Sequence, residues 1–563
     1  MALCYNEYGP TVSGTPPASR ANRETDVLIV GLGPVGAALA NLLGRLGVRV
    51  VVVERNAEIL AAPRAIALDN EALRILQWVG LEEGDFDKVG IPHVRMRSPW
   101  LREFARINTL GGLDGHPKLV TFYQPDLERA LRDKLRVHES VQLSLGATLT
   151  GFTEHADGVV AQISEGPGRD TECRARYLIG ADGASSRVRE LIGQHFDGKT
   201  YAEDWLVVDA RRVARPIDHV EFLCDHRRPT PHMMAPGGRE RWEFMLRPGE
   251  TREQMESDAC IRDLLAPWGI ADDMDIERRA VYRFHARAAD AFSRGQVFLV
   301  GDAAHITPPF VGQGLVSGLR DAANLGWKLA WVVHGRAGAS ILKSYDQERR
   351  PHARAMINMA KFAGRLVMPR SAAVALLTHG IMRAIRWIPP LRRYFEELGI
   401  KPKNLFAEGL FVRGRSGARL VRGSLLRQGY VRSAKGEITL SDNAFGDSLA
   451  LIGFGCDPHP SLDTGLRDRF LAAGGKIVHL AHRGQQVKAP FDRVWEDLEG
   501  VFLPGTAPIG WVVMVRPDRT ILHDGPLATV NQLVRESLAL LETTAGESEV
   551  ATTECHSREM PTP

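Results

Sequence analysis

Residues 26–54 read DVLIVGLGPVGAALANLLGRLGVRVVVVE, and the order of their parts decides the fold. A short β-branched run comes first, as expected of a strand buried on both faces of a parallel sheet. Gly31-x-Gly33-x-x-Gly36 follows at once, then an Ala/Leu stretch at helical spacing that stops at Gly47, then a second β-branched run ending on Glu54. Gly31 permits the tight turn, Gly33 lets the backbone approach a pyrophosphate, and Gly36 lets the helix pack closely on the strand. The helix start turns unpaired N–H groups and the positive dipole end toward phosphates. Glu54 stands where an acid accepts from ribose hydroxyls. The stretch predicts a Rossmann-like α/β unit that binds a dinucleotide, and leaves open whether that is FAD or a nicotinamide nucleotide.

Two blocks far downstream narrow the choice. Residues 177–189, YLIGADGASSRVR, run from a strand through Asp182-Gly183 into a helix with basic residues in its first turns. Taken alone, Asp-Gly is an ordinary turn. Residues 297–305, VFLVGDAAH, place Asp302 at the end of a buried strand, where a carboxylate accepts from a ribityl hydroxyl. Gly312-Gln313-Gly314 then opens a long helical pattern. A helix N-terminus there aims N–H groups at a ring that gains negative charge on reduction, as an oxyanion site does.

At 563 residues the chain is too long for one core, which predicts several domains. Its 71 basic and 68 acidic residues nearly balance, which argues against a nucleic-acid binder. Cys4, Cys173, Cys224, Cys260, Cys456 and Cys555 are scattered, with neither C-x-x-C nor metal spacing, so reduced thiols, no metal site and a cytoplasmic location are expected. The first twenty residues lack an apolar core, and residues 372–391 are interrupted by His379, Arg383, Arg386 and two prolines, so neither a signal peptide nor a membrane span is expected.

The expected organisation has a disordered leader (1–24), a discontinuous dinucleotide-binding domain (25–203 and 286–370) and an inserted antiparallel sheet (204–285). A helical linker (371–404), a small α/β domain (405–541) and a disordered tail (542–563) complete it.

The three blocks in this order resemble the class A flavoprotein aromatic monooxygenases, the family of p-hydroxybenzoate hydroxylase and phenol hydroxylase, over roughly residues 25–370. The resemblance implies FAD as cofactor, NADH or NADPH as co-substrate, O2 and a small phenolic acid as substrates, and a homodimer. It assigns the flavin to Gly31, Gly33, Gly36, Glu54, Arg64, Gln124, Asp182, Gly183, Asp302, Gly312 and Gly314. PRAIALDNEALRILQWVGL, RWEFMLRPGET, GDAAHITPPFVGQG and YDQERRPHARAM are similar to the branch of the family that hydroxylates 3-(3-hydroxyphenyl)propionate and 3-hydroxycinnamate. That branch implies a thioredoxin-like C-terminal domain without redox cysteines. One departure is Val316, where many relatives carry Asn; a tolerated variation is the simpler reading.

Hydroxylation of a phenol calls for a group that takes or hydrogen-bonds the phenolic proton, and for a pocket that excludes water. His232, His285 and Asp69 are the catalytic candidates, with His305 as a further one that serves equally well as part of the Asp302 turn. Arg227, Arg228 and Arg241 are candidates for a substrate carboxylate; Met233, Met234 and Phe244 are candidates for pocket lining. No second glycine fingerprint occurs, so the nicotinamide cofactor is expected to bind transiently. The competing readings are a hydroxylase of a larger aromatic or polyketide, a flavin oxidase or dehydrogenase, and a non-enzymatic FAD-binding redox sensor.

Overall fold

A computed structural model describes residues 22–60, 64–269, 273–397, 399–485 and 493–542. Cys4, Cys555 and most of the expected leader and tail lie outside the described residues. The first strand, Asn22–Val30, runs parallel between Val50–Glu54 and Asp170–Gly180. It begins earlier than expected, because residues 22–24 pair with residues 172–174. Val141–Leu145 extends the parallel set on one side, and Val297–Leu299 pairs in parallel with the end of Asp170–Gly180. Thr148–His155 and Gly158–Ser164 complete this sheet as an antiparallel ribbon. The helices Pro34–Arg45 and Gly314–Val333 pack on it, and Val27, Leu28, Ile29, Val52 and Leu319 are completely buried between the layers.

The second sheet is antiparallel except at one junction and lies over the mouth of the first. Its order is His305–Ile306, Asp275–Ala289, Phe196–Arg211, Arg239–Met245, Thr230–Ala235, Val220–Leu223, His93–Ser98, Arg102–Asn108. It is wider than the 204–285 expected from sequence, reaching back to Phe196 and on to Ala289 and recruiting residues 93–108. That recruitment depends on a parallel pairing of Val220–Leu223 with His93–Ser98, which no local pattern announces. Short helices at Arg252–Met255 and Asp258–Leu265 cover its outer face.

The expected linker, 371–404, holds the helices Ala372–Ile385 and Pro389–Glu396, the second starting on a proline at its first position. Residues 399–403 then turn inward. Beyond them a mixed sheet runs Ile438–Leu440, Tyr430–Ser433, Val494–Asp497, Gly475–His482, Leu449–Phe454, Trp511–Val515, Ile521–Pro526. Thr464–Ala472 and Val530–Glu542 pack on one of its faces, and their core is continuous with that of the first sheet. Among the described residues no helix is long and apolar enough to cross a membrane.

Candidate active site

A cavity of about 1130 Å3 opens between the two sheets. Gly31, Gly33, Glu54, Arg64, Asp69, Gln124, Asp182, Gly183, His285, Asp302, Gly312 and Gly314 all line it. The fold therefore gathers here the flavin and catalytic candidates except Gly36, His232 and His305, which do not line the cavity.

The glycine turn is built as the spacing demands. Gly31 adopts φ +105°, and a Cβ there would fall 2.4 Å from the Ala181 carbonyl oxygen. A Cβ on Gly36 would fall 2.1 Å from the Gly31 carbonyl oxygen, so Gly36 serves helix–turn packing. Gly33 meets nothing within 4 Å, leaving a cradle open at the helix N-terminus. Glu54 accepts from the amides of Leu32 and Asn56, both at 2.8 Å. Arg132, on the helix Gln124–Leu135, reaches toward the Leu32 carbonyl and lines the cavity with its Nε buried and unpartnered. An orphaned guanidinium N–H beside an open helix N-terminus suits a phosphate-bearing ligand. Sequence reading missed Arg132, because an arginine inside a helical charge pattern carries no mark of its own.

Asp182 lines the cavity and is also engaged within the protein. Its carboxylate caps the helix Arg187–Leu191, accepting from the amides of Arg187 (2.7 Å) and Val188 (3.1 Å) and from the Ser186 hydroxyl (2.5 Å). Burial raises its pKa, and those hydrogen bonds hold the rise back. Gly183, at φ +79°, makes the turn that leaves this cap beside the cavity. Arg189 ties this block to the third, donating to the carbonyls of Ala184 (2.9 Å) and Ala303 (3.0 Å).

Asp302 makes no hydrogen bond to any described residue and faces the cavity. Burial raises its pKa, with His305 and Arg64 opposing the rise. A half-buried carboxyl with spare acceptor capacity fits a ribityl hydroxyl. The turn that carries it is held from behind by Asp321, which accepts from the Gly301 amide (3.0 Å) and is bonded to His305 Nε2 (2.7 Å) and Arg349 Nε (2.8 Å). His305 is thereby a buried part of the scaffold, completely enclosed. Arg64 and Gln124 meet through the Gln124 side-chain oxygen, which accepts from the amides of Arg64 (2.8 Å) and Ala65 (2.7 Å). Gly312, at φ +62°, and Gly314 open the helix Gly314–Val333 toward the cavity. Val316 is fully buried in the core and does not line the cavity.

Each catalytic candidate has its place. His232 is 1% exposed, hydrogen-bonded to Glu240 and stacked on Trp242, with its ring on the far side of the sheet. Strand parity explains this: Pro231 and Met233 face the cavity, so His232 cannot. Both sheet faces are buried here, so sequence offered no polarity contrast to set the parity. Asp69 caps the helix Asn70–Val79 and is ion-paired to Arg320 (3.2 Å) and Lys401 (2.7 Å). Burial would raise its pKa, but Lys401 and Arg320 prevail and hold it well below the carboxylate range, which makes it a poor proton acceptor. His285 lines the cavity and contacts Thr200 Oγ1 at 3.1 Å. Burial lowers its pKa, helped by Arg287 and Arg283, so the ring is neutral at pH 7.

The expected substrate cations divide in the same way. Arg227 pairs with Asp225, and Arg228 with Glu250, both away from the cavity. Arg241 lines the cavity but is bound to Asp209 (2.6 Å) and donates to the Arg64 carbonyl (3.1 Å). Met233 is a lining residue; Met234 and Phe244 are not. The apolar walls come instead from Val207, Phe222, Phe284, Phe310 and Met382, together with Phe395 from the expected linker.

Comparison with known proteins agrees with this geometry. The FAD binding domain family matches residues 24–360, and the HcaD C-terminal domain family matches residues 423–540. A 3-(3-hydroxy-phenyl)propionate/3-hydroxycinnamic acid hydroxylase of Burkholderia cenocepacia (strain HI2424) is 37% identical over 519 residues, covering 90% of this chain and 94% of that protein. A hydroxylase of the same name from Escherichia coli O139:H28 (strain E24377A / ETEC) is 33% identical over 561 residues, covering 98% and 99%. In fold, the chain is similar to the flavin-dependent monooxygenase PieE in complex with FAD and substrate (TM-score 0.78, 21% identity, 92% and 99% covered). It is also similar to OxyS anhydrotetracycline hydroxylase from Streptomyces rimosus (TM-score 0.71, 24% identity, 92% and 99% covered). The cradle, the capped Asp182 turn and the Asp302 turn are thus one site, and the chain belongs to the FAD-binding family of aromatic hydroxylases, enzymes that use NAD(P)H as co-substrate.

Proposed function

We propose that this enzyme hydroxylates a small phenolic acid ortho to its hydroxyl, in aromatic catabolism. The substrate would be 3-(3-hydroxyphenyl)propionate or 3-hydroxycinnamate, and the product the 2,3-dihydroxy compound. The observation that carries the reading is identity of 33–37% along nearly the whole chain to hydroxylases named for those substrates. The cavity agrees with it, having polar groups at the glycine cradle and an apolar vault under the second sheet.

FAD, when bound, relays two electrons from NAD(P)H to O2. Gly33 and Arg132 would receive its phosphates, Glu54 its ribose, Asp302 its ribityl chain, and the helix at Gly314 its ring. Arg64 and Gln124 would close over the middle of the cofactor. Phe284, Phe310 and Met382 would keep water from the reacting atoms. A cytoplasmic homodimer, divided into domains close to the expected boundaries and with a thioredoxin-like C-terminal unit, completes the proposal.

The test uses FAD-loaded enzyme, NADH and NADPH, and a panel of phenols that includes both named acids and a polycyclic phenol. The expected result is NAD(P)H consumption coupled to a product heavier by one oxygen atom, with 3-(3-hydroxyphenyl)propionate preferred. Release of peroxide with every phenol, and no oxygenated product, would overturn it.

A further inference from the structure

The inner face of the second sheet carries one acid that neither the cradle nor the scaffold employs. Glu243 lies on Arg239–Met245 at the same parity as Arg241, facing the cavity, and is 8% exposed. It has no hydrogen bond or ion pair to any described residue. A buried carboxyl is costly without a partner, so a cavity-facing one is built to receive a donor from a ligand. Its charged surroundings are Arg241 on its own strand, Asp209 opposite Arg241 on Phe196–Arg211, and Arg278 on Asp275–Ala289, with Tyr282 beside Arg278. Arg241 is engaged by Asp209 and the Arg64 carbonyl. Arg278 reaches Asp209 and the Tyr282 hydroxyl, so the cationic neighbours stabilise a negative charge on Glu243 without occupying its oxygens. Val207, directly across the sheet, and Pro231 and Met233 on the next strand also line the cavity, giving a dry wall against which an aromatic ring can lie.

We propose that Glu243 is the catalytic residue that accepts the phenolic proton of the substrate; the inference rests on the phenol-hydroxylase reading above. In this step the O–H bond breaks heterolytically, the electron pair stays on the phenolic oxygen and the proton passes to a Glu243 carboxylate oxygen. The ring, enriched in electrons, then receives one atom of O2 at the ortho carbon, with the two electrons drawn from NAD(P)H. The hydrogen of that carbon moves to the oxygen as the ring regains aromaticity. The second oxygen atom leaves as water, taking the proton held by Glu243 and the hydrogen that NAD(P)H delivers, while one solvent proton completes the catechol; the carboxylate is restored. Burial raises the Glu243 pKa, Arg241 and Arg278 lower it and Asp209 raises it again, so the net effect is a stronger base than an ordinary carboxylate.

The experiment compares FAD-loaded wild type, E243Q and H285N with 3-(3-hydroxyphenyl)propionate, measuring product formed per NAD(P)H consumed across about pH 6 to 10. Glutamine keeps the shape and polarity but takes no proton. E243Q should retain FAD and oxidise NAD(P)H, yet lose at least tenfold in product yield near pH 7. The yield should recover as pH approaches the intrinsic ionisation of a phenol at about 10. The near-ultraviolet difference spectrum of the bound phenol should show phenolate character in wild type near pH 7 and none in E243Q. Unchanged coupling in E243Q, or the pH-rescued defect in H285N instead, overturns the assignment while leaving the hydroxylase intact. Failure of wild type to oxygenate any phenol fails the underlying function instead. Should E243Q not fold, the wild-type spectrum decides alone: a bound phenol that stays neutral until about pH 10 overturns the proposal.

Discussion

Gly33 and Gly36 stand three positions apart in one motif, yet each answers to a different neighbour. Gly33 has ordinary dihedrals, φ −69° and ψ −178°, and open space where a Cβ would point. Gly33→Ala should therefore fold with an unchanged melting temperature and bind FAD at least tenfold more weakly, because the methyl occupies the cofactor's side of the turn. Gly36→Ala drives its methyl into the Gly31 carbonyl and should cost stability, on the order of 1–3 kcal/mol for an overpacked site. Flavin titration and thermal melts on the two variants separate these outcomes; equal loss of stability in both would show that Gly33 is structural. The motif's spacing identified all three glycines, but only their neighbours distinguish the one with open space beside it from the two that shape the turn.

The helix Gly314–Val333 works as a beam between the cofactor side and the rest of the molecule. Its first residue faces the cavity, and Gly318 lets it approach the Gly301 turn so closely that a Cβ would lie 3.0 Å from the Gly301 Cα. One turn further on, Arg320 holds Asp69 and Glu71 while Asp321 holds Gly301, His305 and Arg349. Burial disfavours the Asp321 charge, but His305 and Arg349 outweigh it and lower its pKa. Asp321→Asn leaves the Arg349 charge buried without its counter-ion, a change that costs about 3–5 kcal/mol in comparable sites. The expected outcome is a lower melting temperature together with faster FAD release, since Asp302 rides on the same turn. Loss of stability with flavin affinity unchanged would show that the turn keeps its geometry without Asp321. In sequence, DAAN inside a helix looks like solvent-facing polarity, and its burial follows from the crossing of two helices rather than from any local pattern.

At the scale of the whole molecule, buried ion pairs join the C-terminal sheet to the flavin-binding core. Arg516 meets Glu348 at 2.6 Å, Lys328 meets the same carboxylate at 2.7 Å, and Arg74 meets Asp442 at 2.6 Å, all deeply buried. Burial alone would raise the pKa values of Glu348 and Asp442. Arg516 and Lys328 outweigh it for Glu348, and Arg74 and Arg519 do so for Asp442, so both fall below the ordinary range. A carboxylate with a depressed folded pKa gives stability that is complete above its unfolded value, about 4, and is lost as pH falls through the folded value. Lowering the pH below about 4 should therefore loosen the C-terminal unit and release FAD, measured by near-ultraviolet circular dichroism and flavin fluorescence. A signal flat across the whole acid range below that point would refute it. Glu348→Gln should destabilise the protein at pH 7 and flatten part of that acid transition, while leaving the product per NAD(P)H consumed unchanged.

What residues 26–54 and the two later blocks determined alone was the flavin-binding plan, since tight turns, β-branched strands and helix starts are local demands that each residue type meets or fails by itself. Those demands also marked Glu54 and Asp302 as cavity residues, and the family resemblance added Arg64, Gln124 and Asp182. The tertiary structure decided the rest: that His232 faces away, that Asp69 is neutralised by a lysine from residue 401, that residues 93–108 join the second sheet, and that the cavity-facing Glu243 makes no hydrogen bond or ion pair to any described residue. Strand parity in a sheet buried on both faces, and ion pairs between residues hundreds of positions apart, arise only when the chain closes on itself. The chemistry of the substrate pocket therefore belongs to the fold, and the cofactor's place to the sequence.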